Sequence, residues 1–201
     1  MNNANNGIVT TRQWQGVTRL LHGLMALGIV GQLMFSQLMV APDELEEATA
    51  LQKFALEGHE ILGLGVVGVM VLHWLWLLLP KSDVSFAKLF PWGSSGLKRV
   101  FADVAHIFKR GHLPEVGNDA GLAGFIHGLG FLIATAMAAS GFALFLVMDF
   151  GDGAGSDSFE QFAHLHEFFA TFMWVYLAGH VIAAAWHEYR GQRLISGIFK
   201  L

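Results

Sequence analysis

The stretches HEILGLGVVGVMVLH, residues 59–73, and HEFFATFMWVYLAGH, residues 166–180, each open on His-Glu, close on a second histidine fourteen residues later, and are otherwise almost wholly apolar. In an α-helix, fourteen steps of about 100° return to within about 40° of the starting face while climbing roughly 21 Å. Each stretch therefore presents two imidazoles on one side of a helix at two depths. Runs this apolar, with nothing charged after the opening pair, point to a helix that crosses a bilayer, and the reading of the whole chain follows from that.

The composition agrees. Of 201 residues, 54% are apolar and only 14% charged, where a soluble domain carries about a quarter charged residues, and the mean hydropathy is +0.49. Four stretches approach or exceed the roughly 20 apolar residues that a hydrocarbon layer requires: about 17–40, 59–79, 121–148 and 162–187. The expected fold is an all-α membrane protein, a four-transmembrane-helix bundle forming one domain over residues 1–201. Glycine is abundant, 24 in the chain and many inside these spans, which suits close helix packing and equally suits room for a flat ligand.

The basic residues set the orientation. Arg12 and Arg19 precede or open the first span, Lys81, Lys88, Lys98, Arg99, Lys109 and Arg110 lie between the second and third, and Arg190, Arg193 and Lys200 follow the fourth. Only Lys53 falls on the other side, among Asp43, Glu44, Glu46, Glu47 and Glu57, while the last loop carries Asp149, Asp152, Asp157 and Glu160. The positive-inside rule then places both termini and the loop 80–120 in the cytoplasm and the acidic loops outside, as expected for a multi-pass protein of a bacterial inner membrane. Within that long loop Leu97, Val100, Phe101, Val104, Ala105 and Phe108 recur at helical spacing among basic residues, between Pro91 and Pro114. This predicts a short amphipathic helix on the membrane surface.

Other features narrow the chemistry. The first apolar stretch is too long for the core of a cleavable signal and lacks a small-residue cleavage site, so it is expected to remain as a helix. Cysteine is absent, which excludes disulfides, thiolate ligation of haem or iron–sulfur clusters, and thioether attachment of haem. The net charge of −4 averages two opposite faces, there is no phosphate-cradling glycine motif, and no nucleic-acid partner is expected.

An ionisable residue inside a bilayer costs on the order of 2.5 kcal/mol or more unless partnered, and so suggests a functional site. Neutral imidazole is a common iron ligand, and a haem between two helices can take one from each side. The histidines sort by depth. His59 and His166 share the outer level; His22, His73, His127 and His180 share the inner one; His187 stands at the exit of the fourth span. His164 is turned about 200° from His166 and reads as a surface residue, and His106 and His112 as solvated. A lone buried histidine is usually a hydrogen-bonded core residue, but several at two matched depths suggest two stacked non-covalent haems, of b type given the missing cysteines. Spacing alone pairs His73 with His180, each about eight residues from the first charged residue beyond its span, Lys81 and Glu188.

The pattern Arg19-Leu-Leu-His22, His59-Glu-Ile-Leu-Gly63, His127 fourteen before Gly141, and His166-Glu167 followed by His180 and His187 resembles the bacterial cytochrome b561 family. It is also similar to the b-type cytochrome subunits of membrane-bound hydrogenases and formate dehydrogenases. The resemblance runs from about residue 12 to 195. It implies a di-haem carrier exchanging electrons with quinone, with the outer haem iron on His59 and His166 and the inner one on His22 and His180. The chain departs from it at His73, where many members carry an arginine near the haem propionates. Arg12, Arg19, His73, His127 and His187 are candidates to neutralise inner propionates or line a quinone pocket.

Two axial imidazoles leave no open iron site, so such a centre carries electrons and does not bind reactants. Three functions follow. The first is electron transfer from an outward-side donor, a periplasmic cytochrome or a dehydrogenase or hydrogenase catalytic subunit, to quinone in the surrounding lipid. The second, which the resemblance allows, is a self-contained superoxide:quinone oxidoreductase. The weakest is a histidine-lined metal-ion transporter, because no Asp or Glu lies deep in any span to help carry a cation.

Overall fold

The computed structural model describes residues 16–111, 121–191 and 195, and among them every regular element is helical. Four helices are long and apolar enough to cross a membrane: α1, Gly16–Ser36; α2, Ala50–Leu78; α5, Leu122–Phe150; and α6, Asp157–Tyr189. Between α2 and α5 lie the short α3, Phe86–Leu89, and α4, Ser94–Arg110. The bundle is turned outward in the manner of a membrane protein. Large apolar side chains such as Leu27, Ile61, Val175 and Ile182 are exposed on its outer surface, an arrangement that suits lipid.

The helix ends differ from those expected, for local reasons. The first helix stops at Ser36 and not near residue 40: Gln37 and Leu38 wind down through i→i+3 bonds to Met34 and Phe35, and Pro42 holds Ala41 extended as proline does to the residue before it. The second helix starts nine residues before His59, capped by Thr49. Thr49 Oγ1 accepts from the Gln52 amide at 3.4 Å, and Gln52 Oε1 accepts from the Thr49 amide at 2.9 Å, a reciprocal capping box. The fourth long helix likewise starts nine residues before His166, where Ser156 Oγ accepts from the Phe159 amide at 3.2 Å and Asp157 and Glu160 complement the N-terminal dipole. His59 does not open its helix. Both outer histidines stand about 14 Å inside their helices, at equal distances from the two N-termini.

Neighbours in sequence pack in pairs, α1 on α2 and α5 on α6, and α2 against α5 joins the pairs. A Cβ on Gly28 would lie 2.7 Å from Val66 and one on Gly31 2.6 Å from Leu62, so these two glycines serve the close α1–α2 approach. The core of Met25, Leu33, Met70, Ile133, Ala134 and Met173 is contributed by all four long helices; on α2 and α6 its residues, Met70 and Met173, fall between the two histidines of the helix.

The loop between α2 and α5 folds back on the bundle. Phe90 is buried, stacked on Trp74 at 6.5 Å and close to Phe131, and Gly128 leaves space for the Leu89 carbonyl. The amphipathic α4 is present where its spacing suggested, with Val100 buried and Phe101 and Phe108 outward. It ends at Gly111, whose φ of +67° is the left-handed cap conformation glycine favours. Asp103 of α4 accepts from the Leu122 amide at 2.8 Å, supplying an acidic partner to the start of α5. Arg12, His112, Pro114, Arg193 and Lys200 lie outside the described residues.

Candidate functional site

α6 approaches neither α1 nor α2 closely along the backbone, yet its histidines meet theirs across the gap. The ring centroids of His59 and His166 are 6.3 Å apart, and those of His22 and His180 are 6.2 Å apart. An imidazole nitrogen binds a first-row metal at about 2 Å, and the ring centre lies roughly 1.1 Å behind it, so two imidazoles on opposite faces of one metal have centroids about 6.2 Å apart. Both pairs have that separation.

Hydrogen bonds orient the outer pair. His59 Nδ1 lies 3.2 Å from the Gln32 carbonyl; a carbonyl cannot donate, so Nδ1 carries the proton and Nε2 keeps its lone pair. The Gln32 amide donates to the His59 carbonyl at 2.7 Å, clamping α1 to α2, and Gly63 stands beside it, where a Cβ would lie 3.5 Å from the amide nitrogen. Opposite, His166 Nδ1 lies 2.9 Å from Ser140 Oγ, which itself donates to the Ala136 carbonyl at 2.8 Å. With the hydroxyl proton so used, Ser140 accepts and His166 donates. In these tautomers each Nε2 keeps its lone pair for a metal. Gly141 keeps α5 clear of this ring, since a Cβ there would approach His166 Cε1 to 3.1 Å.

The inner pair borders a cavity of about 310 Å³ walled by all four long helices and floored by residues 83–89, at the lower end of the usual range for ligand pockets. His73 and His127 line it with His22 and His180. His127 lies 5.3 Å from His180 at 80°, and its Nδ1 donates to the Ala123 carbonyl at 2.7 Å. His73 packs edge-on against Phe131 at 5.8 Å, and its buried Nδ1 has no hydrogen-bond partner among the described residues. Tyr176 stacks on His180 at 5.4 Å and 17°, its ring set against Gly130, with Oη 3.5 Å from His180 Nδ1. At the floor, Trp76 donates to Thr18 at 2.9 Å and Thr18 donates to Asp83 at 2.5 Å, tying α1, α2 and the loop together.

Arg19 and His187 are partly buried but are not among the residues lining the cavity. His164 is exposed, 4.0 Å from Glu167. Gln32, Ser140 and Tyr176 were not foreseen from the sequence. The first two leave a signal there, as lone polar residues in apolar runs; Tyr176 precedes His180 by four residues and so shares its helix face.

Residues 13–200 match the family model described as prokaryotic cytochrome b561. The chain belongs to that family. No curated protein and no solved structure matches it. Membership makes the chain a b-type, haem-binding cytochrome that transfers electrons across a membrane, and its four apolar helices make it multi-pass. The histidines of the cytochrome suit that group chemically: the outer pair offers two Nε2 lone pairs, and the inner pair borders a cavity that His73 and His127 also line.

Proposed function

We propose that the cytochrome holds two haems b, the outer on His59 and His166 and the inner on His22 and His180, and carries electrons from a donor on the outer side of the bacterial inner membrane to quinone. The observation that carries this reading is the pair of centroid separations, 6.3 and 6.2 Å, made by helices whose backbones stay apart. His127 is a poorer axial partner for His180, because 5.3 Å falls short of the span that two imidazoles on one metal require. His73 is assigned a supporting role. Buried polar atoms are nearly always satisfied, and its Nδ1 is suited to hydrogen-bond a group bound in the cavity.

Each haem, when bound, would supply a one-electron couple, held by the two imidazoles of its pair. The protein's own part is to place the two histidine levels about 21 Å apart along α6 and to set an apolar layer between them. Met70, Ile133, Ala134 and Met173 occupy that layer, which leaves the histidine levels as the redox-active ones. The basic loop 80–120 and both termini belong on the cytoplasmic side by charge, so the cavity floored by residues 83–89 lies toward the cytoplasmic end of the bundle.

An absorption spectrum of the purified cytochrome, oxidised and dithionite-reduced, combined with an extracted-haem assay, tests this directly. Two low-spin haems per chain are expected. One haem per chain would leave one histidine pair without a function and overturn the assignment.

A further inference from the structure

We infer that Ser140 is a positioning residue for the outer centre, fixing the tautomer of His166 and lowering the outer haem's reduction potential. This rests on the di-haem reading above. Ser140 is only 4% exposed, and its hydroxyl is anchored to its own helix by the Ala136 carbonyl at 2.8 Å and the Met137 carbonyl at 3.2 Å. A serine back-bonded in this way in mid-helix usually satisfies only itself. Here the oxygen also lies 2.9 Å from His166 Nδ1, and because its proton is committed to the helix it can only accept.

Two consequences follow. The Nδ1 proton is held on the side of α5, so Nε2 is the nitrogen turned toward His59, and Gly141 leaves the ring room to stand there. Accepting a hydrogen bond from the remote ring nitrogen also makes the ligating nitrogen more basic. A more basic ligand favours the ferric over the ferrous ion. His59 has the same kind of support from a backbone carbonyl, Gln32 at 3.2 Å, and His166 also has a backbone partner at Met137, neither of which a side-chain substitution removes; Ser140 is the side-chain part of this support, which a single mutation can delete.

The test is a redox titration of the purified holoprotein followed optically and by EPR, with His166→Ala, expected to retain only the inner haem, used to assign the two waves. Ser140→Ala should keep both haems and raise the reduced-to-oxidised ratio of the outer haem about three- to tenfold at fixed potential, about 28 to 59 mV for a one-electron couple. The outer ferric EPR signal should shift with it and the inner wave should stay in place. Ser140→Thr, which keeps a back-bonded hydroxyl, should restore the native values. A change below twofold, or an equal movement of both waves, overturns the role of Ser140. Should Ser140→Ala lose the outer haem, Ser140→Thr holding it at native potential supports the role and Ser140→Thr losing it overturns it. His166→Ala retaining both haems would instead refute the di-haem assignment underneath.

Discussion

Replacing His22 by alanine discriminates between the two inner-ligand assignments that the sequence left open. The His22–His180 separation of 6.2 Å matches the span of about 6.2 Å expected for two imidazoles on one metal. Of the neighbouring imidazoles, His127 is centred 5.3 Å from His180, tilted at 80° and tied by Nδ1 to Ala123, and His73 packs edge-on against Phe131 at 5.8 Å. Neither stands ready to replace a lost ligand. His22→Ala should therefore reduce extracted haem by about half and leave the outer haem's spectrum unchanged, because His166, which with His59 forms the outer pair, stands about 21 Å from His180 along α6. His73→Ala should keep both haems, since it removes a group that supports an iron bond and not the bond itself; its effect should be a shift of the inner potential alone. Parallel haem assays and optical titrations of the two variants read both outcomes. Loss of haem from His73→Ala with retention in His22→Ala would refute the reasoning and restore the pairing of α2 with α6 at both levels.

Three further outcomes follow from the packing and the charge. Gly130→Val should overpack the contact with the Tyr176 ring at a cost of about 1–3 kcal/mol, seen as a lower melting temperature with preferential loss of the inner haem; a native melting curve would show that Tyr176 can move aside freely. Asp103→Ala removes the acceptor of the Leu122 amide and should cost about 1 kcal/mol, or about 2–4 °C in a chain of this size, with the haem spectrum unaltered. Reporter fusions at Lys98 and Asp152 should be active in the cytoplasm and outside respectively, and the reverse result would contradict the charge argument.

The four crossings were legible because a membrane span advertises itself by length and apolarity, and the amphipathic α4 because its period is unbroken from Leu97 to Phe108. The helix starts were not legible by that criterion. Gln52, Lys53 and Glu57 at the head of α2, and Asp157 and Glu160 at the head of α6, are polar enough to read as loop. The capping residues Thr49 and Ser156 mark the starts by another signal, a side-chain oxygen three residues ahead of the amide it accepts from. The short α3 and the burial of Phe90 left no periodic trace at all, since they depend on Trp74 and Phe131, which lie far off in the sequence.

The site divides along the same line. A histidine within an apolar run is conspicuous one residue at a time, and the fourteen-residue spacing places it on a face and at a depth. What the spacing cannot give is which faces meet. His73 and His22 share a level, and only the rotations of α2 and α1 about their own axes turn the first ring toward Phe131 and the second toward His180. The groups that orient the ligands are harder still to read, because Gln32 and Ser140 acquire their significance from α2 and α6 and not from their own helices. A single buried hydroxyl or carboxamide could equally satisfy its own backbone, as Ser140 partly does. It becomes part of a redox centre only when a second helix brings an imidazole nitrogen within 3 Å of an oxygen that has already spent its proton.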